Sequence, residues 1–293
     1  MSTLITAFDA VIGLPLDQLR PESSTPGLRE ERWKQEARFF DEQSQNLEIG
    51  LIDPLTLERY RSARRLRFNK EFRFHLLGDL RGKRVLDVGC GDGANTVLLA
   101  KLGAAMVVGI DISPGSIEVA RTRARINGVS DRVEFVCAPL ETAPLNSGAF
   151  DVIWGDAILH HLIADLDGVL KKLMDCARPG ALLLFSEPVN ISPTLRRIRF
   201  LIPVHTEVTP DERPLEPDEI GLLRSYVPDL RIQPFTLLGR LDRFVLRIYN
   251  YERSSAWRRS ISSALAAADA VLLRVPGVDR LSGTAVLYGH ARR

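Results

Sequence analysis

The stretch VLDVGCGDGANT, Val85–Thr96, constrains this chain more than any other. An unbroken apolar run that ends in closely spaced glycines and passes into helix-forming residues is a buried strand turning sharply into a helix. A strand buried on both faces needs parallel neighbours and right-handed crossover helices, so the stretch commits the chain to an α/β class. It also satisfies the dinucleotide fingerprint G-x-G-x-x-G/A through Gly89, Gly91 and Ala94, and Asp111 follows at about the 20-residue distance of a ribose-binding acid. Asp87 and Asp92, however, flank the place where a dinucleotide sets its pyrophosphate, and carboxylates repel that anion. An NAD-binding oxidoreductase is therefore one reading; a ligand without pyrophosphate is the other.

The rest of the chain supplies the companions such a strand requires. RVLDVG, AMVVGID, RVEFV, FDVIWG and PGALLLFSEP read as five strands, separated by helical segments. Ser113 is placed as the N-cap of the second helix, with Pro114 at its first position and Gly128 past its end. Leu166, Val169, Leu170 and Leu173 form the apolar stripe of a later helix. Beyond Pro188 come a helix around PLEPDEIGLLRSY, an edge strand RIQPFTLLG and a last strand TAVLYGHA. Together they predict seven strands in a mostly parallel sheet, with the ligand at the strands' carboxyl ends. Residues 1–80 read as a helical N-terminal extension or lid, and 81–293 as the ligand-binding domain. Substrate-side insertions fall at about 189–215 and 240–278, the second helical and placed before the last strand.

Composition narrows the class. At 293 residues, 45% apolar and 26% charged, the chain is of ordinary globular composition. Its net charge of +2, with arginines scattered along the sequence, leaves little footprint for nucleic acid. Cys90, Cys137 and Cys176 lack metal or disulfide spacing and read as buried side chains in a reducing compartment. The N-terminus is a poor signal peptide and no apolar run reaches membrane-span length, so the expected location is the cytoplasm.

D-x-G-x-G-x-G stands complete as Asp87, Gly89, Gly91 and Gly93, and FDVIWGDAILHHL follows on the fourth strand. In these two motifs, roughly over Lys83–Pro188, the chain resembles the class I S-adenosylmethionine-dependent methyltransferases, in particular the small-molecule quinone and natural-product type. The resemblance implies a Rossmann-like fold and S-adenosyl-L-methionine as methyl donor, leaving S-adenosyl-L-homocysteine. That donor carries an ammonium, a carboxylate and a positive sulfonium, with no pyrophosphate, so acids near the turn can help. The resemblance also implies a donor site of Asp87, Gly89, Cys90, Gly91, Gly93, Asp111, Ile112, Leu140, Gly155 and Asp156, with Asp111 on the ribose. The family often places an acid after the third strand to hold the adenine amino group. Here that place is Ala138-Pro139-Leu140, with Glu141 slightly later. Asp92 is either a ligand acid or a turn residue.

Two adjacent histidines at a strand's carboxyl end suit proton removal from an attacking oxygen, because imidazole titrates near neutrality. His161 is the first candidate base, His160 the second and Glu187 the partner; no metal is expected. The expected acceptor is a small molecule, methylated on oxygen, with C- or N-methylation of a lipid-like substrate as the alternative. Trp33, Phe39, Phe40 and Tyr60 read either as walls of the substrate side or as packing. AWRRSISSALAAADAVLLRVPGV combines apolar residues with arginines, so it reads as a helix packed on the domain or a dimer partner, or as an interfacial helix touching a membrane. Both a monomer and a homodimer are compatible with the sequence.

Overall fold

The computed structural model describes residues 26–44, 47, 49–192, 213–246, 251 and 254–292. Residues 1–25 of the expected N-terminal extension and most of the 189–215 insertion lie outside the described residues, and Pro26 and Gly27 already belong to a helix.

Seven strands form one sheet: β1 (Arg84–Val88), β2 (Met106–Asp111), β3 (Val133–Cys137), β4 (Phe150–Asp156), β5 (Ala177–Pro188), β6 (Arg231–Phe235) and β7 (Thr284–His290). Their order is β3-β2-β1-β4-β5-β7-β6. The first five are parallel, and β7 runs antiparallel to both β5 and β6. This is the mostly parallel, seven-stranded Rossmann-like sheet expected, with RIQPF at an edge. PGALLLFSEP differs in one respect: the strand already begins at Ala177, which pairs with Phe150, and the register then shifts so that Leu182 meets Val152. Gly180, at φ +78°, accommodates that irregularity.

Alternation along β1 divides the core. Leu86 and Val88 face one buried cluster together with Ile153, Leu170 and Leu173. Val85 faces the other, with Val107, Trp154 and Leu184. The first cluster is covered by α6 (Leu166–Cys176) and α7 (Pro217–Tyr226), numbered after α1 (Pro26–Ser44), α2 (Pro54–Arg61), α3 (Asn69–Leu77), α4 (Ala94–Lys101) and α5 (Pro114–Ile126). The second receives α2, α3 and α4: Tyr60 stacks on Phe74 at 4.6 Å, and Phe74 meets Trp154 at 5.0 Å. The segment 54–77 therefore shares the sheet's own core, and truncating Phe74 to alanine would cost about 3–5 kcal/mol.

Local signals set the helix starts. Asp53 accepts from Leu55 N–H ahead of Pro54, and Ser113 accepts from Ser116 N–H ahead of Pro114. The region 240–278 is helical, with α8 (Asp242–Val245) and α9 (Ala256–Leu272). Cys90 and Cys176 are buried, but Cys137 is exposed, contrary to the expectation of three buried cysteines. It ends β3, an edge strand with a neighbour on one side only.

Candidate active site

The turn after β1 is built from glycines because the backbone leaves no alternative. Gly89, Gly91 and Gly93 lie at φ +63°, +50° and +75°, where a side chain costs about 1–2 kcal/mol per residue. At Gly89 a Cβ would also lie 2.5 Å from the Ile158 side chain, and at Gly93 2.7 Å from Ala120 Cβ, so the latter glycine lets α4 close on α5. A Cβ at Gly91 meets nothing within 4 Å, because that residue opens into a cavity.

This cavity, about 330 Å³, lies at the carboxyl ends of β1, β2 and β4 and is closed from above by Trp33, Glu36 and Phe40 of α1. Asp41 docks α1 there: its Oδ1 accepts from Ser113 Oγ at 2.6 Å and from Gly115 N–H at 2.8 Å. Glu141 adds a second tie, accepting from Arg32 Nη2 at 3.1 Å and from Trp33 Nε1 at 3.4 Å.

Of the residues expected to hold the donor, Gly89, Gly91, Asp111, Ile112, Leu140 and Asp156 line the cavity, while Asp87, Cys90, Gly93 and Gly155 lie behind it. Asp111 Oδ2 accepts from Gly91 N–H at 2.8 Å and Oδ1 from Ser113 N–H at 2.9 Å, and burial raises its pKa. Asp87 accepts from Thr96 Oγ1 at 2.6 Å, which ties β1 to α4. Burial lifts the Asp87 pKa to about 7, against the stabilising Thr96 bond. Asp92 turns away from the cavity: it bonds Ala94 N–H and pairs with Arg123, so its role is in the turn. The Cys90 thiol is held well above its ordinary pKa by burial and by Asp87. Gly155 serves packing, since a Cβ there would meet the Phe185 ring at 2.5 Å.

Asp156 is gripped from α3 and α4. Arg73 Nη1 and Nη2 reach its two oxygens at 2.9 and 3.1 Å, and Asn95 Nδ2 donates at 3.0 Å. Burial alone would raise its pKa, but Arg73, Lys70 and these bonds hold it below the ordinary carboxylate value. Neither Arg73 nor Asn95 was expected from the sequence. Both stand on helices whose outward pattern reads as packing.

The histidine turn rests on Glu187, which is buried at the end of β5. Its Oε1 accepts from Ile158 N–H at 3.0 Å and Leu159 N–H at 2.9 Å, and its Oε2 lies 2.9 Å from His160 Nδ1. Ala157 leads into this turn at φ +56°, a strained position for a residue with a Cβ, and its N–H donates to Ser186 O at 2.8 Å. His161 packs against His160 at 4.1 Å and Phe40 at 5.6 Å between ring centres. Burial, and then the neighbouring His160, push its pKa down to about 3. Both histidines line the cavity. Trp33 and Phe40 do as well, whereas Tyr60 belongs to the core and Phe39 packs edge-on against Phe40.

Several known proteins are similar to this chain. Residues 86–185, about a third of the chain, match the family described as a methyltransferase domain. A ubiquinone biosynthesis O-methyltransferase of Neisseria meningitidis is 38% identical over 116 residues, covering 39% of this chain and 48% of that protein. The 27-O-demethylrifamycin SV methyltransferase of Amycolatopsis mediterranei is 35% identical over 124 residues, covering 40% of this chain and 45% of its own. The chain thus spans about half the length of these curated relatives. Among solved structures, a geranyl diphosphate C-methyltransferase from Streptomyces coelicolor A3(2) superposes with a TM-score of 0.53 at 15% identity, over 92% of this chain and 99% of that one, a likeness of fold. Residues 86–185 are thus similar to the methyltransferase-domain family, and the seven-stranded sheet has the fold of a solved methyltransferase.

Proposed function

We propose that the chain methylates an oxygen of a small-molecule acceptor, with S-adenosylmethionine as donor and His160, oriented by Glu187, as general base. The observation that carries this reading is the His160–Glu187 pair at 2.9 Å on the wall of the cavity beside Gly89, Gly91 and Asp111.

The lining fits the donor. Its described residues include four carboxylates, Glu36, Asp111, Glu141 and Asp156, and no lysine or arginine. That composition favours ribose hydroxyls and a ligand bearing ammonium and sulfonium groups, and it disfavours the pyrophosphate of NAD. Asp111 would take the ribose, with Ile112 and Leu140 beside the adenine and Gly89, Gly91 and Asp156 around the methionine part. When bound, S-adenosylmethionine supplies an electrophilic methyl group on a positively charged sulfur.

The chain's own part is to place the acceptor oxygen in line and take its proton. Glu187 accepts from His160 Nδ1–H, which fixes the tautomer and leaves Nε2 as the proton acceptor. A carboxylate at this distance also stabilises the imidazolium that forms. His161 is a poorer base, since with its pKa near 3 it holds a proton weakly at neutral pH. The order of preference between the histidines is therefore the reverse of the sequence expectation.

The acceptor oxygen must lie beside His160 in the first cavity; a second cavity, about 480 Å³, at the carboxyl end of β6, bounded by residues 66–72 and the inner face of α9, is assigned in this reading to the part of the acceptor remote from the reacting oxygen. The apolar wall of this second cavity includes Phe68, Phe72, Phe235 and Leu273, and Asn69 on its rim accepts from Ser186 Oγ at the end of β5 at 3.2 Å. In this reading the N-terminal helices and the 240–278 insertion act as lid and specificity wall. Free thiols at Cys90, Cys137 and Cys176 fit a reducing, cytoplasmic setting.

Transfer of a labelled methyl group to a panel of phenolic and aliphatic alcohols tests the assignment. Glu187→Gln and His160→Ala should each lower kcat by about 10²–10⁴-fold, whereas His161→Ala should change kcat little. Turnover unchanged in both of the first two variants would end the assignment.

A further inference from the structure

The helix α9 is built inside out. Its buried positions are Ser262, Ala266 and Asp269, small or polar residues. Asp269 anchors the helix by accepting from the N–H groups of Leu237, Leu238 and Gly239 at 3.0, 2.7 and 3.0 Å. The apolar stripe points outward instead. Trp257, Ile261, Ala264, Ala268 and Val271 recur at alternating spacings of four and three, the period of one helix face, and the exposed Val275 follows just past the helix end. Val271 is 65% exposed, Trp257 58% and, on the adjoining α8, Phe244 73%. A surface helix of a monomeric domain ordinarily turns that stripe to the core.

The charges beside the stripe have one sign. Residues 254–275 carry Arg258, Arg259 and Arg274, and their only acid is the buried Asp269. Arg258 stacks over Trp257 at 4.7 Å, which holds a cation at the edge of the apolar band. A two-fold contact with a second copy would bring these arginines toward their own equivalents, with no acid from the helix to meet them. An anionic bilayer offers both an apolar interior for the stripe and negative head groups for the arginines.

We propose that α9, with Phe244, docks this protein on the surface of an anionic phospholipid bilayer. The inner face of the same helix lines the second cavity through Ala266, Ala270 and Leu273, so docking sets that cavity at the bilayer interface. The docking does not rest on the methyl-transfer reading and is tested without it.

The test is co-sedimentation of the full chain with phosphatidylcholine vesicles, with and without phosphatidylglycerol. Binding is expected to the anionic vesicles, weakened but not abolished by salt. The double variant Trp257→Ser, Ile261→Ser should lose about tenfold or more in partition coefficient while keeping the wild-type melting temperature. Brominated acyl chains should quench tryptophan fluorescence in the wild type, and the quenching should disappear in Trp257→Phe although that variant still binds. Absence of binding, equal binding by the double variant, or a stable solution dimer dissociated by Ile261→Asp would each overturn the proposal; the last would assign the stripe to a second copy.

Discussion

The two cavities of this molecule are assembled in opposite ways. The first takes most of its wall from the continuous run between Val88 and Leu162, where each strand ends in a short turn beside the next. The second gathers residues 66–72, 233–242 and 266–274, brought together only by the antiparallel β7 and the helices before it. In the first, backbone geometry dictates residue type, as positive φ and a close neighbour do at Gly89. In the second, aromatic and aliphatic side chains such as Phe68, Phe72, Phe235 and Leu273 make most of the apolar wall.

Bulk added on each side should have unequal effects. Gly89→Val places side-chain atoms into Ile158 on a backbone of φ +63° and should reduce S-adenosylhomocysteine affinity at least about a hundredfold, or prevent folding. Ala270→Val, on the wall of the second cavity, should leave that affinity within about twofold and raise the KM of the acceptor. Calorimetry and steady-state kinetics read the two effects separately. Similar losses in both variants would dissolve the distinction.

A smaller effect is expected where distant chain closes the first cavity. Asp41→Ala removes the acceptor for Ser113 Oγ and Gly115 N–H and should cost about 1–3 kcal/mol in chemical denaturation. It should also weaken S-adenosylhomocysteine binding, since α1 carries Trp33, Glu36 and Phe40 over the site.

Another effect depends on pH. Asp87 has a folded-state pKa raised to about 7, so the folded chain holds this proton more tightly than the unfolded chain does. Its contribution favours folding below about pH 4 and is lost as pH rises toward 7. Asp87→Asn should therefore gain stability relative to wild type as pH increases across that window, as measured by melting temperature. A gap between the two proteins that does not change with pH would contradict the burial argument.

The legibility of the chain follows the same division. Asp87, Gly89, Gly91 and Gly93 could be read as a turn because strained backbone restricts the residue types allowed, and that restriction is visible in one short string. The sheet was legible because fully buried strands and amphipathic helices leave different periods. Which acids face the ligand was not: Asp87 and Asp92 bond Thr96 and Arg123 instead, and only the packing of α4 and α5 decides that. The order of His160 and His161 depended on which ring meets Glu187, a contact spanning 27 residues. The outward turn of α9 depended on Asp269 finding three backbone N–H groups after β6. A helical stripe shows that one face is apolar; it does not show where that face points.

The cavity beside Gly91 and Asp111 is the donor site in the reading proposed above. Isothermal titration of the wild-type chain and of Asp111→Ala with S-adenosylhomocysteine and with NAD tests it most directly. The wild type should bind S-adenosylhomocysteine at least about tenfold more tightly than NAD, and Asp111→Ala should lose about tenfold or more in affinity for S-adenosylhomocysteine. Tighter binding of NAD, or S-adenosylhomocysteine binding unchanged by Asp111→Ala, would contradict the account.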